Sequence, residues 1–267
     1  MNCRLICIDI DGTLLNDTQE ILPAVKDAVK RQYRKGRKIA LVSGRMPCGV
    51  SLIEKQLGID CIKICNAGTS IIIDGQCVKE EGMPTSVARK LYTEIAEKYD
   101  VGLWAFHGLE WYVNRLDDFV KNEITVIEHA PTVIQMDDLL ELWDKNRMCP
   151  NKLLIAAEEK KLNEIQTELD MWNTRAFDVA KSSVNYLEIF PKNVDKGRAV
   201  LALCKILHIN ASDVVAIGDQ ELDIPMIEAV GFGIAMGNAI PALKEKADVV
   251  TLTNNEAGVA YALNQYV

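Results

Sequence analysis

The chain opens on an alternation of two kinds of segment, and this limits its fold more than any other feature. Residues 5–8 (Leu-Ile-Cys-Ile) form an apolar run, residues 23–35 carry Val25, Ala28, Val29 and Tyr33 near helical spacing, and residues 38–42 form a second apolar run. Residues 47–57 read as another helix stopped by Gly58, and residues 61–65 as a third strand. Short apolar runs joined through amphipathic helices need crossover connections, which predicts a parallel sheet covered by helices. The same style returns after Pro191: a helix over 194–207, a strand over 213–217, a helix over 222–230, and shorter elements at 232–235, 242–247, 249–252 and 257–265.

Between these blocks the pattern changes. Residues 70–74 and 76–79 flank Asp74-Gly75 and predict a hairpin. A helix over 87–99 leads into strands at 101–106 and 109–114, and amphipathic segments follow at 117–129 and 136–146. A strand over 152–157, a helix over 160–171 and strands at 176–180 and 186–190 complete the region. The expected architecture is α/β: a Rossmann-like three-layer core with a parallel sheet, from residues 1–82 and 190–267, and an inserted α+β cap domain over residues 83–189.

Composition narrows the function classes. With 49% hydrophobic and 25% charged residues the chain is an ordinary globular protein, and its formal net charge of -8 gives no electrostatic reason to bind nucleic acid or an anionic membrane. Its longest apolar run, residues 199–204, falls far below the roughly 18–20 residues a membrane span needs. Several of the eight cysteines, Cys7 and Cys204 among them, sit inside apolar runs, and no secretory signal precedes Asp9, so a reducing cytoplasm is the expected compartment. Cys3/Cys7 and Cys61/Cys65 have the wrong spacing for a zinc knuckle.

The chemistry lies where strands end. The first apolar run closes on Asp9-Ile10-Asp11-Gly12-Thr13, where extended geometry would send Asp9 and Asp11 to the same side. Asp-Gly alone is a common turn dipeptide, but two carboxylates at the end of a buried strand carry a desolvation cost that calls for a cation. The second strand runs into Ser43-Gly44-Arg45, and the strand at 213–217 into Gly218-Asp219, with Asp223 at the start of the next helix. Ligands of parallel sheets bind beyond the carboxyl ends of strands, so Asp9, Asp11, Asp219 and Asp223 are expected in one crevice, where oxygen-only ligation points to Mg2+. Lys196 opens a helix, a place that favours anions. Carboxylates, a hard cation, a lysine and the Ser43 hydroxyl together suit phosphoryl chemistry.

These motifs resemble the haloacid dehalogenase superfamily, and most closely its Cof-type phosphatases: Asp9-Ile10-Asp11-Gly12-Thr13, Val42-Ser43-Gly44-Arg45, Lys196-Gly197 and Gly218-Asp219 followed by Asp223. The resemblance extends to Asn66-Ala67-Gly68, to residues 235–239 and to residues 255–260. It implies a nucleophile at Asp9 and a general acid/base at Asp11. It also implies magnesium held by Asp9, the Asp11 carbonyl and Asp219 with support from Asp223, and phosphate bound by Ser43, Lys196 and the N–H groups of Ile10 and Gly44. The implied substrate is a small phosphorylated metabolite such as a sugar phosphate; a phosphomutase or a weakly active phosphometabolite-binding protein is the alternative. Leu222 stands where many such proteins carry an asparagine, so Arg45, Asn66 or Asn193 would have to supply the missing phosphate contact. Thr13 is expected to fix its loop. Trp104, His107, Glu110, Trp111 and Tyr112 either line the cap's lid or form its core, Glu188 is a candidate contact near the hinge, and His129 and His208 are expected to be structural or on the surface.

Overall fold

The structure, a computed structural model, describes residues 3–172 and 175–267. Its strands in chain order are β1 (Leu5–Asp9), β2 (Lys38–Val42), β3 (Ile62–Cys65), β4 (Ser70–Ile73), β5 (Gln76–Glu80), β6 (Gly102–His107), β7 (Glu110–Val113), β8 (Thr132–Val133), β9 (Lys152–Ala156), β10 (Phe177–Ser183), β11 (Tyr186–Pro191), β12 (Val214–Gly218), β13 (Phe232–Ala235) and β14 (Val249–Val250). Two compact units divide them, the first made of Met1–Arg45, Val50–Lys79 and Asp195–Val267, the second of Met46–Gly49 and Glu80–Val194.

In the first unit the sheet order is β14-β13-β12-β1-β2-β3-β4-β5. Pairing is parallel from β14 to β3 and turns antiparallel between β3 and β4. The strand β1 lies between β2 and β12, because the chain builds outward from it first in one direction and later in the other. That reversal of strand order is the switch point at which open α/β sheets bind ligands, beyond the carboxyl ends of the strands. Leu5, Ile6, Cys7 and Ile8 are fully buried. Burial of a Leu or Ile side chain contributes about 1.5–3 kcal/mol, so β1 stays in place although it ends in a desolvated carboxylate. The turn between β4 and β5 has Asp74 and Gly75 both in the left-handed region, the conformation expected of an Asp-Gly hairpin.

The second unit carries a sheet of order β10-β11-β9-β6-β7-β8, antiparallel except where β8 joins β7 in parallel. Alternation sorts its faces. Leu103, Ala105, Leu153, Ile155, Leu187 and Ile189 pack with the helices Met136–Asn146 and Glu159–Met171, whereas Trp104, Phe106, Trp111 and Leu154 pack with Val120 and Ile127 of the helix Asp118–Ile127. The segment expected as one helix over 87–99 runs as Thr85–Leu91 and Glu97–Tyr99, joined through a wider turn in which Glu97 N bonds Tyr92 O. The two-residue strand β8 has no counterpart in the sequence reading, since two residues carry no periodicity. Among the described residues no helix is long and apolar enough to cross a membrane.

Candidate active site

Each of the three strand ends at the switch point delivers one polar side chain. Asp9 is the last residue of β1, Ser43 follows β2, and Asp219 follows β12; all three are buried. Lys196 is the first residue of the helix Lys196–Leu207, whose N-terminus is capped by the Asp195 carboxylate accepting from Arg198 N. That helix comes close to the Asp219–Asp223 segment because Gly197 has no side chain: a Cβ there would lie 2.2 Å from Pro225 O.

Lys196 Nζ donates to Asp9 Oδ1 at 2.6 Å and to Asp223 Oδ1 at 2.5 Å. Oxygens of Asp9, Asp219 and Asp223 all lie within 4.8 Å of one another. Asp223 Oδ2 in turn accepts from the backbone N–H groups of Asp219 and Gln220, both at 3.0 Å. Thr13 donates to Asp219 Oδ1 at 2.7 Å, and Gln220 Nε2 to Asp219 Oδ2 at 3.0 Å. Burial, with Asp223 beside it, raises the Asp9 carboxyl well above the usual carboxylate range despite Lys196. Burial also raises Asp219, against the hydrogen bond from Thr13. Lys196 moves the other way from what burial alone would do, because Asp223 and Asp9 hold its ammonium charged. With all three carboxylates ionised against one ammonium, an excess of two negative charges would have to be held, and a divalent cation would neutralise it. Oxygen donors of this kind fit a hard ion such as Mg2+.

Asp11 stands apart from this group. The chain leaves the extended conformation after Asp9 and wraps residues Ile10–Leu14 into a wide turn closed by Leu15 N to Ile10 O at 2.9 Å, so the same-side rule of a strand stops at Asp9. Gly12 sits at φ +79 in that turn, and a Cβ there would meet Asp219 Oδ2 at 2.4 Å. The Asp11 side chain is half exposed and pairs with Arg45, Nε to Oδ2 at 2.9 Å and Nη2 to Oδ1 at 2.5 Å. The structure therefore brings together Asp9, Asp219, Asp223 and Lys196, and separately Asp11 with Arg45.

Ser43 Oγ accepts from Arg45 N at 3.1 Å, which leaves its own proton to donate. Asn66 N bonds Arg45 O and Ala67 N bonds Ser43 O, both at 2.9 Å, so the turn after β3 braces the Ser43-Gly44-Arg45 segment. Asn66 itself is buried in the left-handed region, and neither polar atom of its carboxamide has a hydrogen-bond partner among the described residues. Ile10 is buried in its turn, Leu222 is exposed, and Asn193 lies in the second unit. There Trp104 and Trp111 are core residues, Tyr112 packs edge-on against Trp143, and His107 Nδ1 lies 2.8 Å from Cys149 O. Glu110 pairs with His129 on the surface, while Glu188 is buried beside Lys152. Gln19, Gln220, Asn238 and Asn254 support the site without having been singled out from the sequence as site residues; Gln220 and Asn238 fall in segments that carry the resemblance, Gln19 and Asn254 do not. Asn238 Nδ2 donates to Gly12 O at 2.8 Å, and its Oδ1 accepts from Asn254 N.

The profile of the haloacid dehalogenase-like hydrolases matches residues 6–263. The chain belongs to this family, in its Cof-type phosphatase branch. It is 29% identical to the 5-amino-6-(5-phospho-D-ribitylamino)uracil phosphatase YwtE of Bacillus subtilis (strain 168), over 98% of this chain and 97% of that one. A crystal structure of a haloacid dehalogenase-like hydrolase from Bacteroides thetaiotaomicron, 29% identical, superposes with a TM-score of 0.88 over 99% of this chain and 100% of that one. The subclass IIB sugar phosphatase BT4131, 19% identical, shares the fold with a TM-score of 0.81 over 98% of each chain.

Proposed function

We propose that the protein is a magnesium-dependent phosphomonoesterase for small phosphorylated metabolites, with phosphorylated sugars and sugar alcohols as its substrate class. The observation that carries this reading is the buried Asp9 carboxylate at the end of β1, bridged to Asp223 by Lys196 in a cluster where three buried carboxylates face one ammonium. The ribityl phosphate in the name of YwtE supports the substrate class.

In this reading Asp9 and Asp219 hold the cation, with Asp223 behind them fixing Lys196, and the cation supplies charge neutralisation for an incoming phosphate. Lys196 and the Ser43 hydroxyl orient the phosphate oxygens, together with the N–H groups of Ile10 and Gly44 and the side chains of Arg45 and Asn66. Asp9 attacks phosphorus while the ester P–O bond breaks, and Asp11 gives its proton to the departing alkoxide. Asp11 then takes a proton from the water that cleaves the aspartyl phosphate, which regenerates Asp9 and releases phosphate. Half exposure suits Asp11 to this exchange, whereas burial suits Asp9 to form the covalent bond. The second unit serves as the cap that selects the leaving group.

The test is phosphate release from p-nitrophenyl phosphate and a panel of sugar phosphates, with and without Mg2+. Turnover that needs the metal and disappears in Asp9→Asn is the expected result. A protein that releases no phosphate from any of them, or an Asp9→Asn variant as active as the parent, overturns the proposal.

A further inference from the structure

One residue near the site is held in a strained backbone conformation. Gln19 occupies the left-handed region at φ +62, a conformation that costs a side-chain-bearing residue energy. It is held there by a turn in which Asn16 bonds both ends: Asn16 Oδ1 accepts from Thr18 N at 3.1 Å and Glu20 N at 2.8 Å, Asn16 N donates to Glu20 O, and Gln19 N donates to Asn16 O. A chain of amides ties this turn to the rest of the first unit. Asp17 accepts from Asn254 Nδ2 at 3.0 Å and Asn255 Nδ2 at 2.7 Å, Asn254 Nδ2 also donates to Leu15 O, and Asn238 links Asn254 N to Gly12 O.

The device ends on Arg45. Gln19 Oε1 accepts from Arg45 Nη2 at 2.9 Å, the same nitrogen that donates to Asp11 Oδ1, while Arg45 Nε holds Asp11 Oδ2. A partly exposed ion pair typically contributes no more than about 1 kcal/mol, so the pair alone does not account for a strained glutamine and a pinned turn. A guanidinium fixed along one edge does fix the plane of the carboxylate it grips. We propose that Gln19 is a positioning residue: it locks the Arg45 guanidinium so that Asp11 is held in one orientation for proton transfer. This rests on the reading of Asp11 as the acid/base.

The test compares Gln19→Leu, Arg45→Ala and the double variant on p-nitrophenyl phosphate and on an alkyl phosphate such as glucose 6-phosphate. The alkoxide must be protonated as it leaves and the nitrophenolate need not be, so a misplaced acid shows most on the alkyl ester. Gln19→Leu is expected to lower kcat on that ester roughly 5- to 10-fold, a fraction of what acid–base catalysis contributes, with KM within about twofold. In the Arg45→Ala background the same substitution is expected to cost nothing further. A second readout needs no turnover. The Arg45 Nε–H resonance, assigned by its loss in Arg45→Lys, should exchange slowly in the parent and faster in Gln19→Leu. Equal losses in both backgrounds, a change confined to KM, or unaltered Nε–H exchange overturns the positioning role. If the parent hydrolyses neither ester, the phosphatase reading fails instead, and the exchange measurement alone decides whether Gln19 locks Arg45.

Discussion

Lys196 Nζ lies 2.6 Å from Asp9 Oδ1, a buried ion pair in which the ammonium is shared with Asp223. Removing one partner from a buried pair leaves the other charge without compensation, which typically costs about 3–5 kcal/mol. Lys196→Met is therefore expected to lower stability by roughly 3 kcal/mol when measured by urea denaturation without divalent metal, and to abolish phosphate release. Asp9→Asn should behave in the opposite way. Burial raises the Asp9 carboxyl above its unfolded value, so its ionised form is penalised in the folded state at neutral pH. A neutral amide of the same shape should be at least as stable as the parent while inactive. A large loss of stability in Asp9→Asn would mean that Lys196, not Asp9, is the group needing its partner.

The excess negative charge makes a separate prediction about metal. A ligand that binds only the folded state stabilises it by about 2.7 kcal/mol at a hundredfold excess over Kd, which moves the melting temperature of a chain this long by several degrees. Mg2+ should raise Tm in a thermal melt, and Asp219→Asn should remove most of that rise. Asp11→Asn should keep more of it, because the Asp11 side chain is turned to Arg45 rather than into the carboxylate group. Equal loss in both variants would place the Asp11 side chain among the ligands.

These relationships were legible in the sequence to different depths. Asp9, Ser43 and Asp219 could be read because each ends an apolar run, and the parallel pairing of β1 with β2 and β12 then brings those ends side by side. Lys196 could be read only as a helix start; its contact with Asp9 depends on how closely Gly197 lets that helix approach Pro225. The orientation of Asp11 was not legible, because it is set by the turn at Ile10–Leu14 and not by the strand before it. Asn238 and Asn254 act across more than 200 residues on the loop after β1, and single polar side chains in loops leave no periodic trace. The aromatic residues of β6 and β7 could be read either as lid or as core, and burial identifies Trp104 and Trp111 as core.

The cysteines offer a check on the packing around them that is independent of activity. Burial raises Cys48 to about 11 and Cys61 to about 12, and pushes Cys7 well above its ordinary value with Cys204 and Cys3 nearby. The thiolate is the reactive form, and a raised pKa means less of it at a given pH, so alkylation of these thiols should accelerate as pH rises. At pH 8 a thiol titrating near 11 is about one part in a thousand ionised. Iodoacetamide at pH 8 should therefore label exposed Cys77 first, with Cys48 and Cys61 following only toward pH 10 or on unfolding. Peptide mapping by mass spectrometry reads the order, and early labelling of Cys61 would contradict its burial.

Asn66 brings stability and binding into opposition. Its carboxamide is buried without a hydrogen-bond partner among the described residues, a situation that costs about 1–3 kcal/mol, and its backbone lies at φ +49 beside Ala67 at φ +57. Glycine removes the unpaired amide and suits the left-handed backbone, at an entropic cost of roughly 0.5–1 kcal/mol. The balance favours Asn66→Gly by about 1 kcal/mol in the protein without ligand, a rise of a few degrees in Tm. If the amide is kept for phosphate, the same variant should raise KM for phosphoesters and weaken inhibition by inorganic phosphate, with kcat less affected. The Asn66 N–H to Arg45 O bond is made by the backbone and survives the substitution, so a fall in kcat alone would point to disturbance of the Ser43-Gly44-Arg45 segment. A variant that is both less stable and unchanged in KM would show that the carboxamide is satisfied in solution and has no part in binding.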